Sequence, residues 1–381
     1  MVDVVLVESV RSPVGKRNGG LAHLPAPDLL GDVLSTVLTR AGVESHTVGQ
    51  VVGGCVNQVG QQGGNVIRNA WLGAGLDISV GASTVHAQCG SAQQAFTLAY
   101  GMVAGGIIES AIACGIEAMS QVPINATVLP EYGASRSERY QQHFEVTTQF
   151  QAADRIASAW GLTREDLDNF AVSSQQRAAS ALAAGRFAGQ IVPISVPTGI
   201  VATDEGPRAT THAGLAALKP NRNGDIDALH TAGTSSQISD GAAAVLMMAA
   251  PRAERLGVQA QARVVDSLLV GTAPVMMLTG PIAATRQILE RNALTLDDLD
   301  VIEVNEAFAS VVLAWAHDLK SDLSNVNVNG GAIALGHPLG ATGCVLITKC
   351  LAELQRTGGR YGLVTMCVGG GMGTATLIER L

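Results

Sequence analysis

The stretch CGSAQQAFTLAYGMVAGGIIESAIAC, residues 89–114, and the stretch CVLITKCLAELQRTGGRYGLVTMC, residues 344–367, share one grammar. In the first, apolar side chains recur at Ala92, Ala95, Phe96, Ala99, Tyr100 and Val103, the spacing of one helix face. Gly105-Gly106 then stops the helix, and Ile107 to Cys114 reads as a buried strand. In the second, Cys344, Ile347, Cys350, Leu351 and Leu354 share a helical face, Gly358-Gly359 is the stop, and Tyr361 to Cys367 is the strand. An offset of 253 residues carries Gly105 onto Gly358 and Cys114 onto Cys367.

Working outward, Val51-Val52-Gly53-Gly54-Cys55 parallels Val301-Ile302-Glu303-Val304-Asn305 at a compatible offset of 250. Val4 to Val7 and Val51-Val52 read as strands and Asp28 to Arg40 as an amphipathic helix. Two offsets in the same order predict two related α/β halves, a repeat whose period is a whole domain, packed about a pseudo-twofold. From about Met119 to Gln237 the texture changes to Pro, Thr, Gln and Arg with one clear helix. That helix is opened by Thr163-Arg164-Glu165-Asp166, with Leu167, Phe170, Ala171, Ala178 and Ala181 turned inward. This reads as an insertion able to cover a site, after which Ile238 to Leu246 returns to core composition.

Composition narrows the function. Of 381 residues 47% are apolar but only 13 are aromatic, so the core is built from Ala, Val, Ile and Leu. A net charge of −8 argues against broad binding to nucleic acid or anionic lipid. The uncharged run between Asp322 and Lys349 is broken by Gly336, Pro338, Gly340 and Gly343, so no membrane span is expected. The amino terminus enters its first strand without a basic and then apolar leader, which places the protein in a reducing cytoplasm. Six cysteines without a C-x-x-C spacing indicate neither a zinc knuckle nor a redox pair.

Four polar clusters, three of them containing glycine, sit at probable strand ends or helix starts, where parallel α/β sheets bind ligands. Gln88-Cys89-Gly90-Ser91 puts a thiol at a helix amino terminus, a position that favours thiolate, although a small buried thiol is equally a core residue. Gly336-His337-Pro338-Leu339-Gly340 holds an imidazole close to any ligand, with an ordinary pKa near 6.5 that suits proton transfer. A lone histidine is more often a satisfied core or surface residue. Asn305-Glu306-Ala307-Phe308 offers an amide and a carboxylate, or a helix cap, and Cys367-Val368-Gly369-Gly370-Gly371 offers a second thiol beside free N–H groups, or a turn. Cys344 and Cys350, and Cys55 and Cys114, read as core. Neither G-x-x-x-x-G-K-[ST] nor a proper G-x-G-x-x-G is present, which disfavours nucleotide hydrolysis and Rossmann dehydrogenation.

In chain order these clusters resemble the thiolase family: C-x-S at Cys89 to Ser91, N-E-A-F at Asn305 to Phe308, G-H-P at Gly336 to Pro338 and C-x-G at Cys367 to Gly369. The likeness extends through Gly115 to Met119, Thr231-Ala232-Gly233 with Ser236, Asp240 to Ala244 and Asn329 to Ala332, essentially the whole chain. Two departures, Ala92 after C-x-S where glycine is usual and His86 three residues before Cys89, remove no catalytic group. The resemblance implies two βαβαβαββ halves in a five-layered core. Residues 1–118 with 239–260 would form the amino-terminal half, 119–238 a loop domain over the coenzyme A site, and 261–381 the carboxyl-terminal half. It implies cleavage of a 3-ketoacyl-CoA by coenzyme A, or the reverse Claisen condensation, with coenzyme A as a substrate and no metal or redox cofactor. By the same resemblance His337 activates the nucleophile Cys89, and Cys367 is the second acid/base. Asn305 holds an oxyanion water, the N–H groups of Cys89 and Gly369 meet the thioester oxygen, and Ser236, Met277 and Phe308 lie along coenzyme A. Thiolases are dimers or dimers of dimers, so a homodimer or homotetramer is expected.

Two rivals are distinguishable. A thiolase-like acyl-CoA or lipid-binding protein without turnover would have lost Cys89, His337 or Cys367, and a decarboxylating ketosynthase lacks the cysteine at Cys367. Among thiolases, acetoacetyl-CoA specialists share a His-Met pair whose place here is taken by Thr148-Gln149, and Leu278 stands beside Met277 where a small residue is usual. His230 to Leu246 and Asn305 to Ala316 also resemble thiolases of actinobacterial steroid side-chain breakdown. Longer or branched 3-ketoacyl-CoAs are therefore expected to be preferred to acetoacetyl-CoA.

Overall fold

The computed structural model describes residues 2–222 and 224–381. Among them lie twelve strands: β1 (Val4–Arg11), β2 (Gly15–Lys16), β3 (Gln50–Gly54), β4 (Gly81–Val85), β5 (Ser110–Ala118), β6 (Ile194–Val196), β7 (Gly199–Val201), β8 (Ser239–Ala249), β9 (Ala262–Gly271), β10 (Val301–Val304), β11 (Tyr361–Val368) and β12 (Met372–Arg380). The amino-terminal sheet runs β4-β3-β5-β8-β1 and the carboxyl-terminal sheet β10-β11-β12-β9. With β3, β5, β8 and β1 set against β10, β11, β12 and β9, the two orders are identical. So is the pairing, one parallel pair followed by two antiparallel ones. The halves meet where β1 and β9 pair antiparallel at Val5 and Leu6, the expected pseudo-twofold.

Five layers result. Helices Ala26–Ala41 and Val66–Gly73 cover the outer face of the first sheet with Leu30, Val33, Leu34, Ile67 and Trp71. Helices Gly280–Arg291 and Ala309–Leu319 cover the outer face of the second with Ile282, Ile288, Val312 and Trp315. Helices Ser91–Ala104 and Thr342–Thr357 lie between the sheets. A helix enclosed on all sides must be apolar nearly all round, and every residue from Thr342 to Leu351 is buried.

Three expectations change. The first quoted strand begins at Ser110 rather than Ile107, whose side chain is 74% exposed, because a loop is needed to leave the helix stop. The second half lacks a full third strand: the counterpart of β4 is a single parallel bridge between Ile302 and Val326. The stretch 119–238 holds a second substantial helix, Gln149–Ala159, whose capping box joins Thr148 and Gln151 and matches that of Thr163 and Asp166 on Arg164–Ala183.

This stretch is fastened to both halves by buried polar contacts. Arg11 on β1 grips Asp204 through two bonds of 2.6 and 2.9 Å and donates to Gln190 at 2.7 Å. Ser174 on the helix Arg164–Ala183 donates to Glu306 at 2.6 Å. Such pairs are costly to break because the remaining partner stays buried without compensation.

Candidate active site

The ends of β5, β10 and β11 and the starts of the two central helices converge on one cleft of about 140 Å³, whose walls include Cys89, His337, Gly369, Ser236, Phe308 and Leu278. Cys89 is held there by a tight turn. Gln88 adopts φ 47°, a left-handed conformation uncommon for a side chain of this kind, and the Ser91 hydroxyl locks the turn. It accepts from Ala87 N–H at 2.9 Å and donates to the Gln88 carbonyl at 2.6 Å. The serine of C-x-S is thus a brace for the thiol. The Cys89 sulfur faces its own N–H and that of Gly369, yet burial outweighs both and pushes the thiol up to about 11. The expectation of a resting thiolate is corrected: the helix terminus lowers the cost of ionisation without overturning desolvation.

His337 is 2% exposed, and burial alone lowers its pKa to about 4, so it rests neutral at neutral pH rather than near 6.5. Its Nδ1 lies 2.6 Å from the Thr342 hydroxyl, which already donates its only proton to the Pro338 carbonyl at 2.8 Å. The hydroxyl must therefore accept from Nδ1–H, which makes Nε2 the unprotonated, accepting nitrogen of the ring. The Asn305 amide nitrogen sits 3.4 Å from Nε2. The loop is carried to this place by Glu117, which accepts from Gly340 N–H at 2.8 Å and from the N–H groups of Val56 and Asn57 at 2.9 and 3.0 Å. A side chain at Gly115 would put its Cβ 2.3 Å from the Gly340 carbonyl, so only glycine lets the strand end and the loop approach.

Cys367 ends β11 fully buried, and burial, then the neighbouring Cys89, raises its thiol well above the ordinary value. It packs in the apolar cluster of Met277, Phe308, Ala307 and Ile156. Met277 stays in that cluster, with φ 52°, while its neighbour Leu278 reaches the cleft. Ser236 lies on the wall, its N–H bonded to the Ala307 carbonyl at 3.0 Å. Phe308 stands edge-on to Phe150 at 5.5 Å and to His230 at 5.3 Å. His86 is exposed and takes no place in the cleft wall. Sequence reasoning missed Thr342, legible only as a hydroxyl residue five positions after the histidine, and the wall residues Met119, Ile124 and Phe150.

Comparison with known proteins identifies the family to which this fold and cleft belong. Residues 4–251 match the family model described as thiolase, N-terminal domain, and residues 258–380 that described as thiolase, C-terminal domain. The chain belongs to the thiolase family. As a thiolase it carries out acyl transfer on coenzyme A thioesters, the chemistry of thiolytic cleavage and Claisen condensation. The thiolase is 41% identical to a steroid 3-ketoacyl-CoA thiolase of Mycobacterium tuberculosis over 100% of its own length and 95% of the relative. It is 40% identical to a beta-ketoadipyl-CoA thiolase of Acinetobacter baylyi over the full length of both. The crystal structure of the Bacillus anthracis acetyl-CoA acetyltransferase superposes with a TM-score of 0.90 at 35% identity, covering 100% of this thiolase and 99% of that chain. Among the described residues no helix is long and apolar enough to cross a membrane.

Proposed function

We propose that this thiolase cleaves 3-ketoacyl-CoAs with apolar acyl groups larger than acetyl, using Cys89 as nucleophile, His337 as base and Cys367 as second acid/base. The observation that carries the reading is the cleft where Cys89, a neutral His337 whose Nε2 is unprotonated and the N–H of Gly369 meet beside Cys367. Nε2 takes the Cys89 proton as the sulfur attacks the 3-keto carbon, so that no thiolate need persist in the buried cleft. His337, now protonated, and a water held by Asn305 meet the first oxyanion. The bond between C2 and C3 then breaks with its electron pair on the acetyl-CoA fragment, and the Cys367 thiol gives C2 its proton. Coenzyme A returns a proton to Cys367 and attacks the thioester, whose oxygen is held by the N–H groups of Cys89 and Gly369. Cys89 leaves as thiolate and recovers its proton from His337.

The stretch 119–238 acts as the loop domain over the coenzyme A site, since Met119, Ile124, Gln149, Phe150, Ser235, Ser236 and Gln237 all line the cleft. The remaining domain division, 1–118 with 239–260 and 261–381, follows the two sheets. Ser236 and Phe308 lie along the pantetheine arm, with Met277 supporting the wall behind them. The protein works as a cytoplasmic homodimer or homotetramer.

Substrate class follows from the walls. Gln149 and Leu278 stand where a wall gripping a methyl group would be built, and Ile124, Phe150 and Leu339 supply apolar surface. Among the described residues no lysine or arginine lines the cleft, so an acyl chain ending in a carboxylate finds no counter-charge there. The test is kcat/KM for acetoacetyl-CoA, a medium-chain, a ring-bearing and a carboxylate-ended 3-ketoacyl-CoA. The reading expects the middle two to lead, and a tenfold or greater preference for the four-carbon or the acidic substrate would overturn it.

A further inference from the structure

Behind the cleft, a stripe of the helix Thr342–Thr357 made by Thr342, Val345, Leu346 and Lys349 faces a small cavity of about 10 Å³ that Asn305 also lines. That is about the volume one water needs. Lys349, 2% exposed, uses two of its three N–H donors, to Glu303 at 2.8 Å and to the Gly330 carbonyl at 2.8 Å. Asn305 Oδ1 and Glu303 Oε1, on alternate residues following one strand face, are buried and have no hydrogen-bond partner among the described residues. Buried polar atoms without partners are costly, so a cavity of this size bordered by one such acceptor and an unused ammonium proton is a hydration site.

We propose that this cavity is a built site for one structural water, and that Lys349 acts through it as a positioning residue for Asn305. The water accepts from Lys349 Nζ and donates to Asn305 Oδ1, two hydrogen bonds that serve the open donor and the open acceptor bordering the cavity. With Oδ1 turned to the back of the site, the Asn305 NH₂ must face His337 Nε2 and the reacting oxygen. The ammonium, one water removed, polarises the amide and makes that NH₂ a stronger donor.

The inference rests on the catalytic reading of Asn305, and the experiment separates the two. Lys349→Met, combined with Glu303→Gln so that no carboxylate is left buried and unpaired, removes the ammonium; kcat for coenzyme A-dependent cleavage is expected to fall roughly tenfold with KM little changed, a fraction of what loss of an oxyanion donor costs. In an Asn305→Ala background the same change is expected to have less than about a twofold effect, because the partner it acts through is gone. Equal losses in the two backgrounds would overturn the positioning role. A high-resolution crystal structure of the wild-type enzyme is expected to show water density within hydrogen-bond reach of Lys349 and Asn305; a dry cavity would overturn the site even if the Lys349 variant fails to fold. Wild-type turnover in Asn305→Ala alone would instead overturn the role of Asn305 and leave the hydration site to the crystallographic result.

Discussion

The same offset that superposes the two quoted stretches puts Thr342 on Cys89 and Cys114 on Cys367, and the contrast between these pairs shows how a duplicated scaffold acquires one active site. At the helix starts, one half presents a thiol to the cleft and the other a hydroxyl that orients the imidazole of the same cleft. At the strands, Cys367 lies beside Cys89, whereas Cys114, equally buried at the equivalent position, is enclosed in an apolar cluster with Ile67 and Ile116. The loops after those strands differ most. β11 turns into β12 through Gly369, Gly370 and Gly371, while the equivalent connection from β5 to β8 carries the 119–238 insertion. A tight turn brings backbone N–H groups to the thiol, and a long one supplies part of the cleft wall.

Cys89→Ala breaks the comparison most severely. It is expected to lower turnover by about 10⁴-fold or more, since base and oxyanion donors have no nucleophile to serve, with an unchanged circular dichroism spectrum. An acyl-CoA should label a peptide containing Cys89 in the wild type, and label on Cys344 or Cys350 would place the nucleophile elsewhere. Cys367→Ala should still exchange acyl groups through Cys89 but lose carbon–carbon cleavage and formation by roughly 10²–10⁴-fold, the value of a positioned general acid. Condensation of acetyl-CoA at the wild-type rate would remove Cys367 from the chemistry.

Thr342→Val tests the hydroxyl that stands in the place of the nucleophile. Without an acceptor for Nδ1–H the ring loses its enforced tautomer, and kcat is expected to fall roughly 10- to 100-fold, part of the contribution of a positioned base. Thr342→Ser should recover most of it, and a failure of serine to rescue would argue for packing instead.

The neutral histidine has a thermodynamic signature. Burial depresses its pKa from 6.5 to about 4, so above pH 6.5 it contributes no pH dependence. As pH falls from 6.5 toward 4 the unfolded chain takes up a proton that the folded one refuses, and folding loses on the order of 3 kcal/mol before levelling off. Denaturant titrations of wild type and His337→Gln across this range should differ by that slope, and parallel curves would show the imidazole to be unburied. The smallest effect is expected at the silent member of the cysteine pair: Cys114→Ala should turn over as wild type and cost about 1 kcal/mol of stability. Any loss of activity there would mean that the halves share the chemistry.

The helices of the insertion show where legibility ended. Arg164–Ala183 was readable from its capping box and inward face; Gln149–Ala159 carries the same kind of box at Thr148 and Gln151, but its short apolar face gave a weaker period. The third strand of the second half was not foreseeable as a single bridge, because strand length depends on neighbours more than on local pattern.

By itself the sequence determined the duplication, the α/β class and the four polar clusters, because helix and strand periods, glycine stops and motif order are local properties of the chain. Only the tertiary structure decided which clusters share a cleft and in what protonation state they meet. Helix-terminus reasoning favours a thiolate at Cys89 and model chemistry a half-protonated His337, yet burial reverses both, to about 11 and about 4. Desolvation is the reason: it depends on how completely two sheets, two central helices and an insertion close over a side chain, and no short stretch of residues carries that information.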